Sequence, residues 1–413
     1  MFHLLVCLPL VSGWGQFGHK IVALIAGNFI DKETMEYLEN TLDMGGRGVP
    51  ESIAHHSVWA DIMCDKYEWL KPLHFAYTED YKCSPFDFQR DCDNGRCIVS
   101  ALGNYTMRAS DPTLPDEERE EAVKFIVHFM ADIHQPLHFG NRVDEGGTKI
   151  ELWDPATTLH EVWDSYFIDI KLEKIKPKNL SPNALWTYYE LYKKMMSIET
   201  HEYNALKAKY EVKMSSSDLG SCNAMIKVIG DIGSETTSKV TCPLAYKDLK
   251  GNWIEDDDVL KGDWFDSRMD AALEQLKKAG IRLAQLLRAV ARAYNRNLKY
   301  KRSFLSSSDD EGEPYDQRYV CNGKDVQKKQ VAPVQILTSL NKVSKSKKSN
   351  SGSKNPVSKK SKKKQDDDFT RQIEEFKAKN PELYAVEAEM PMADDVKKKK
   401  KQNRAVPQDP TVV

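Results

Sequence analysis

Long hydrophobic runs are missing from this 413-residue chain. The most apolar stretch near its start, LLVCLPLV, falls far short of the roughly 20 residues a membrane helix needs, so no membrane span is expected. Continuous β-branched segments are also scarce and no internal repeat is present, which argues against a sheet-based fold and against a repeat array. Aromatics thin out from Ser303 onward, and acidic residues are absent between Asn341 and Lys364, where ten lysines stand. A stretch of that composition cannot bury a core. Residues 303–413 are therefore expected to be a disordered basic tail.

What is present divides the chain further. Residues 1–13, MFHLLVCLPLVSG, have the apolar run and small-residue end of a secretory signal, although the usual positive start is absent. The net charge of −2 hides a tail of +6 on a body of −8. Seven of the eight cysteines lie beyond residue 13, and Cys83, Cys92 and Cys97 crowd together among turn-forming residues. In a secreted chain such clusters indicate disulfides. The sequons at Asn104 and Asn179 fit the same compartment, secreted or in a lumenal secretory or lysosome-like space.

Between Trp14 and Arg302 apolar residues recur at three- and four-residue spacing, so the body is expected to be all-α, a single mainly helical domain. Helices are predicted over 16–30, over 116 to about 134 and over about 266–294. The second opens with acids and stops before Pro136. The stretch 71–100 is turn-rich and is expected to be irregular, pinned by its cysteines.

The chemistry concentrates in FIVHFMADIHQPLHFG and TLHEVWDSYF. His128 and Asp132 are four apart on a predicted helix, and His160 and Asp164 repeat that spacing, so each pair leaves one face. His138 follows the Pro136 break. Zinc takes imidazole and carboxylate at about 2 Å, and two ligands one helical turn apart meet one ion without strain. Buried carboxylates among Phe, Val, Ile and Trp need a partner, and a metal supplies it. His19, Asp61 and His74 are further candidates whose meaning does not come from spacing.

With WGxxGH at Trp14, WAD at Asp61, PLHF at His74, HxxxDxxQPLH, a Gly-Gly pair and LHxxWDxY in that order, the chain resembles the zinc-dependent single-strand-specific nucleases of moulds and plants, also called type I nucleases. The resemblance covers residues 14–302, and the cysteine segment is similar to that of the plant members. It implies a mainly helical domain with three zinc ions in a cleft. Asp61, His74, His128 and Asp132 would hold one, and Trp14, through its α-amine and carbonyl, with His19 and Asp132 a second. Asp132 would thus bridge a pair, while His138, His160 and Asp164 would hold the third ion. Asp61 and Asp132 are read as the catalytic carboxylates.

The implied reaction is hydrolysis of single-stranded DNA and RNA to 5′-phosphate products, with removal of phosphate from 3′-nucleotides. Water activated between the paired metals would attack phosphorus, and the third would stabilise the departing oxygen. Phe75 matches the position where a base stacks, and Tyr77 and Tyr166 are further candidates for the substrate cleft. Stacking is worth roughly 1–3 kcal/mol per base and needs an unpaired base. The resemblance also implies disulfides Cys92–Cys97 and Cys83–Cys242. A monomer is expected, with the basic tail as a possible arm for polyanions.

Three positions depart from the family. Cys64 stands where the family commonly has Arg three residues after the WAD aspartate, with Lys66 or Lys71 as possible substitutes. Tyr77 replaces a base-reading Asp, and Thr148 replaces Asn after the Gly-Gly pair. Two alternatives compete: a zinc phospholipase C-like phosphodiesterase, and an inactive zinc-loaded protein that binds nucleic acid.

Overall fold

A computed structural model describes residues 13–304 except 65, 154, 156, 169–170, 172–199, 213, 215–217 and 261. The expected signal segment up to residue 12, the tail beyond residue 304 and Asn179 lie outside the described residues. Helices dominate, and among the described residues the only β pairing is in isolated bridges.

The longer helices are α1 (Gln16–Phe29), α2 (Lys32–Thr41), α3 (Val49–His56), α4 (Trp59–Cys64), α5 (Ile98–Ala109), α6 (Asp116–Asp132), α7 (Thr200–Lys209), α8 (Cys222–Thr236) and α9 (Asp263–Phe304). Side chains close some of their starts. Asp31 accepts from the Thr34 N–H at 3.0 Å, and Ser221 accepts from the Ala224 N–H at 3.3 Å. Each cap satisfies a donor that the first helical turn leaves open.

Helix α6 is the axis of the domain. It opens with Asp116, Glu117 and Glu118, acids that complement the positive end of the helix dipole. From Ala122 to Asp132 every residue but Lys124 is buried, so this half has no solvent face. Phe125 and Phe129 stack there with ring centroids 5.2 Å apart. Burying each such ring contributes about 1.5–3 kcal/mol. α5 and α1 pack against α6, and α9 lies along α1. The α1–α9 crossing is close because Gly280 has no side chain: a Cβ there would come 2.5 Å from Ile25.

Up to the start of α5 at Ile98, the stretch 71–100 consists of short turns, the end of a 3₁₀ segment Glu68–Leu73, a single α turn Phe88–Asp91 and a 3₁₀ turn Asp93–Gly95. Disulfides join Cys92 to Cys97 within it and Cys83 to Cys242 across the domain, the two pairings that the resemblance implies. Cys222 is also disulfide-bonded. The third predicted helix is longer than the pattern suggested, because no Gly or Pro between Asn295 and Phe304 ends it.

Candidate metal centre

Six segments meet at the C-terminal end of α6. α1 brings His19, α4 brings Asp61, and the Glu68–Leu73 turn presents His74 at its exit. α6 supplies His128 and Asp132 from adjacent turns of one face. Pro136 then starts the 3₁₀ turn Pro136–Phe139 that carries His138. His160 and Asp164 come from a short α turn, Leu159–Glu161, that widens into a π turn over Val162–Tyr166. The pair is thus on a helical segment, but not a regular α-helix. π turns of this kind recur at functional sites.

Asp132 lies between three imidazoles. Its Oδ1 is 3.2 Å from His19 Nε2, and its Oδ2 is 2.9 Å from His74 Nδ1 and 3.1 Å from His128 Nε2. Asp61 Oδ1 stands 3.2 Å from His128 Nε2 and 3.8 Å from His74 Nδ1. Nearby, His160 Nε2 and Asp164 Oδ2 are 3.2 Å apart, and the His138 and His160 rings stack at 5.5 Å. His19–Asp61–His128, His74–His128–Asp132 and His138–His160–Asp164 each converge closely enough for one ion.

The histidines are held in a ligand's orientation. His128 Nδ1 donates to the Ser57 carbonyl at 2.7 Å, His138 Nδ1 to the His74 carbonyl at 2.6 Å, and His160 Nδ1 to the Gly146 carbonyl at 2.6 Å. Each then turns its Nε2 lone pair toward the cluster, as metal-binding imidazoles do. Gly146 reaches His160 through a φ of +67°, a left-handed conformation that glycine adopts at little cost. Asp164 Oδ1 accepts from Gln135 Nε2.

Burial lowers His19, reinforced by nearby His128, and burial pushes His138 down to about 3. Burial alone would raise Asp132, but His128 and His19 hold it well below the usual carboxylate range. Burial pushes Asp164 up to about 7 against the pull of His160.

The donor set fits zinc. Both ring nitrogens of His19, Oδ1 of Asp132, and Nε2 of His138 and of His160 are buried polar atoms without a hydrogen-bond partner. Leaving one such atom unpaired costs about 1–3 kcal/mol, and here they share one pocket of imidazoles and carboxylates. Trp14 is fully buried, with its indole donating to the Ala131 carbonyl at 3.1 Å. The neighbouring Gly15 N–H donates to the Asp164 carbonyl at 2.9 Å. That brings the main chain at Trp14 to the same cluster.

A family model of the S1/P1 nuclease matches residues 14–292. The chain belongs to the S1/P1 nuclease family. It is 30% identical to Endonuclease 2 of Arabidopsis thaliana over 299 residues, covering 70% of this chain and 93% of that protein. It is also 30% identical to Nuclease S1 of Aspergillus oryzae over 295 residues, covering 70% of this chain and 95% of that protein. Against Nuclease P1 of Penicillium citrinum the identity is 36% over 160 residues, covering 37% of this chain and 57% of that protein. S1/P1 nucleases are phosphodiesterases that act on single-stranded nucleic acid.

In this S1/P1 nuclease the expected substrate residues divide. Ala76 and Thr78 donate their N–H groups to the His138 and Gly140 carbonyls, which keeps the segment after His74 extended. Residues two apart share a side there, so Phe75 and Tyr77 stack with centroids 4.2 Å apart, both half-buried. Tyr166 packs against Phe265 at 5.5 Å, and both residues are half-buried. Thr148 donates to the Glu145 carbonyl within its turn, and Lys71 pairs with Glu68. Asn104 lies inside α5 and is half-buried. Gln135 and the carbonyls of Ser57 and Gly146 were not singled out from the sequence.

Proposed function

We propose that this protein is a zinc-dependent endonuclease that hydrolyses single-stranded DNA and RNA to 5′-phosphate products and removes phosphate from 3′-nucleotides. The observation that carries the reading is the pocket of orphaned, buried imidazole nitrogens and carboxylate oxygens around Asp132 and Asp164. Asp61, His74, His128 and Asp132 would hold one zinc, Trp14, His19 and Asp132 a second, and His138, His160 and Asp164 a third. Zinc bound there supplies Lewis acidity, which makes water a nucleophile near neutral pH and stabilises charge on phosphate oxygens.

The protein's own residues hold and orient. Asp132, facing three imidazoles at about 3 Å, is the group suited to serve two ions at once. Asp61, on the cleft side with its side chain 21% exposed, is the carboxylate nearest solvent and hence nearest an incoming phosphate. The half-buried faces of Phe75 and Tyr77 offer aromatic surface to an unpaired base, which favours single strands over duplex.

Ligation by Trp14 requires a free α-amine, and hence removal of residues 1–13, in keeping with a secreted or lumenal protein. Support comes from Gly13: a Cβ built there would run into the Asp132 carboxylate and the His138 ring. The Gly13–Trp14 junction therefore lies against the carboxylate that the amine would join. The folded body is taken as residues 14–302, monomeric, with the lysines between Asn341 and Lys364 as an arm for polyanions.

The test is to make the chain with a protease-removable tag before Trp14 and measure zinc content and cleavage before and after its removal. Substrates are single-stranded DNA, single-stranded RNA, duplex DNA and phosphatidylcholine, each with and without chelator, with product ends typed by phosphatase. Tag removal is expected to add one zinc and to raise single-strand cleavage by orders of magnitude. A companion lacking residues 341–413 is expected to cut short oligonucleotides equally and to leave a heparin column at lower salt. Full activity with the tag attached would remove the amine from the ligand set. Phosphatidylcholine turnover without nuclease activity would replace the whole reading.

A further inference from the structure

We propose that Cys64 is a positioning residue: its sulfur is the outer partner that fixes the tautomer and ring orientation of His74, so that Nδ1 faces the Asp61–Asp132 pocket. The inference rests on the reading of that pocket as a metal centre.

The pattern among the other histidines carries the argument. His128, His138 and His160 each donate one ring N–H to a main-chain carbonyl and turn the opposite nitrogen inward. A neutral imidazole has one N–H and one lone pair, so the outer acceptor decides which nitrogen is available as a ligand. His19 has no outer acceptor on either ring nitrogen, and His74 has one of a different kind. Its Nδ1 faces inward, 2.9 Å from Asp132 Oδ2 and 3.2 Å from His128 Nε2. Its outward Nε2 meets the Sγ of Cys64 at 3.0 Å, where the other three have a carbonyl oxygen. Sulfur is a weak acceptor, but with His74 fully buried water does not compete for the N–H.

The local structure delivers the thiol for this purpose. Cys64 closes α4, three residues after Asp61, so one short helix brings both a carboxylate of the pocket and the group behind His74. Cys64 is buried and not disulfide-bonded. Phe129 braces the ring edge-to-face at 5.0 Å, restricting tilt but leaving the choice of tautomer to the sulfur.

The experiment compares Cys64→Val and Cys64→Ala, which remove the acceptor without and with loss of volume respectively, against Cys64→Ser, which keeps one. Zinc affinity is read by competition with a chromogenic chelator, and ligand geometry by the visible spectrum of the cobalt-substituted protein. Val and Ala are expected to weaken zinc binding at the Asp61–Asp132 pocket by about 10–100-fold and to shift the cobalt bands. Ser is expected to remain near wild type in both. Wild-type affinity and spectrum in Val and Ala, or a Ser variant that behaves like them, would overturn the role of Cys64 while leaving the metal centre standing. A wild-type protein that takes up no zinc would overturn the metal centre itself, and this inference with it.

Discussion

His128 and His134 are both fully buried and stand six residues apart, yet polar atoms are matched around one and unmatched around the other. His134 Nδ1 donates to the Met130 carbonyl at 2.8 Å, and its Nε2 accepts from Arg282 at 3.0 Å. Arg282 also pairs with Glu235 and donates to the Tyr210 carbonyl, while Lys278 bridges Glu235 and Gln275. Gln275 closes the set by donating to the His134 carbonyl at 3.0 Å. Burial, with Arg282 beside it, holds His134 neutral. On the other side of the helix end, His19, Asp132, His138 and His160 keep orphaned atoms. A buried polar network that satisfies itself is structural, whereas imidazole and carboxylate atoms left open side by side suit a metal.

The strongest way to break this contrast is Asp132→Asn, which keeps size and removes the charge that serves two ions. Single-strand cleavage is expected to fall to background and bound zinc to drop by two per chain. Zinc at 100 times its dissociation constant stabilises a folded protein by about 2.7 kcal/mol per site, and that increment should shrink in the variant's thermal melts. Unchanged rate and zinc content would show that the open atoms are not ligands.

A smaller effect sharpens the boundary at its narrowest point, between His134 and Gln135. Gln135 donates to Asp164, and its side-chain oxygen accepts from the Leu137 N–H. Gln135→Met should weaken zinc at the His138–His160–Asp164 group by about 10–100-fold. The stranded Leu137 N–H costs about 1 kcal/mol whether or not zinc is present. Calorimetric zinc titration separates the two: a loss of stability without a loss of affinity would assign Gln135 to the structural side.

Much of this was legible in the sequence, for physical reasons that also set the limit. Four-residue spacing exposed His128–Asp132 and His160–Asp164, because side chains one helical turn apart must share a face. Helices α1 and α6 start where their patterns start and end within two residues of the expected ends. His19, Asp61 and His74 come from separate segments, so only the resemblance could group them. The carbonyls of Ser57 and Gly146 were invisible because any residue has one.

The smallest effect on the reaction is expected from Glu235→Gln, which tests the satisfied cluster. Burial would raise the Glu235 carboxyl, but Arg282 and Lys278 outweigh it and hold it at about 2, below its usual 4.5. A depressed carboxyl contributes stability above its unfolded value, and that contribution is lost as pH falls from about 4.5 through about 2. At pH 7 the variant should therefore unfold more easily by about 1.5–3 kcal/mol, the range for a hydrogen bond to a charged group. Its deficit should narrow as the wild type's own carboxyl becomes protonated on acidification. Arg282 keeps His134 and the Tyr210 carbonyl, so the fold should survive. The deficit should be equal in zinc-loaded and zinc-free protein, with zinc content and rate per folded molecule unchanged. A drop in zinc affinity would mean that the network holds the metal ligands in place through His134 and Gln135, and that the two clusters act as one.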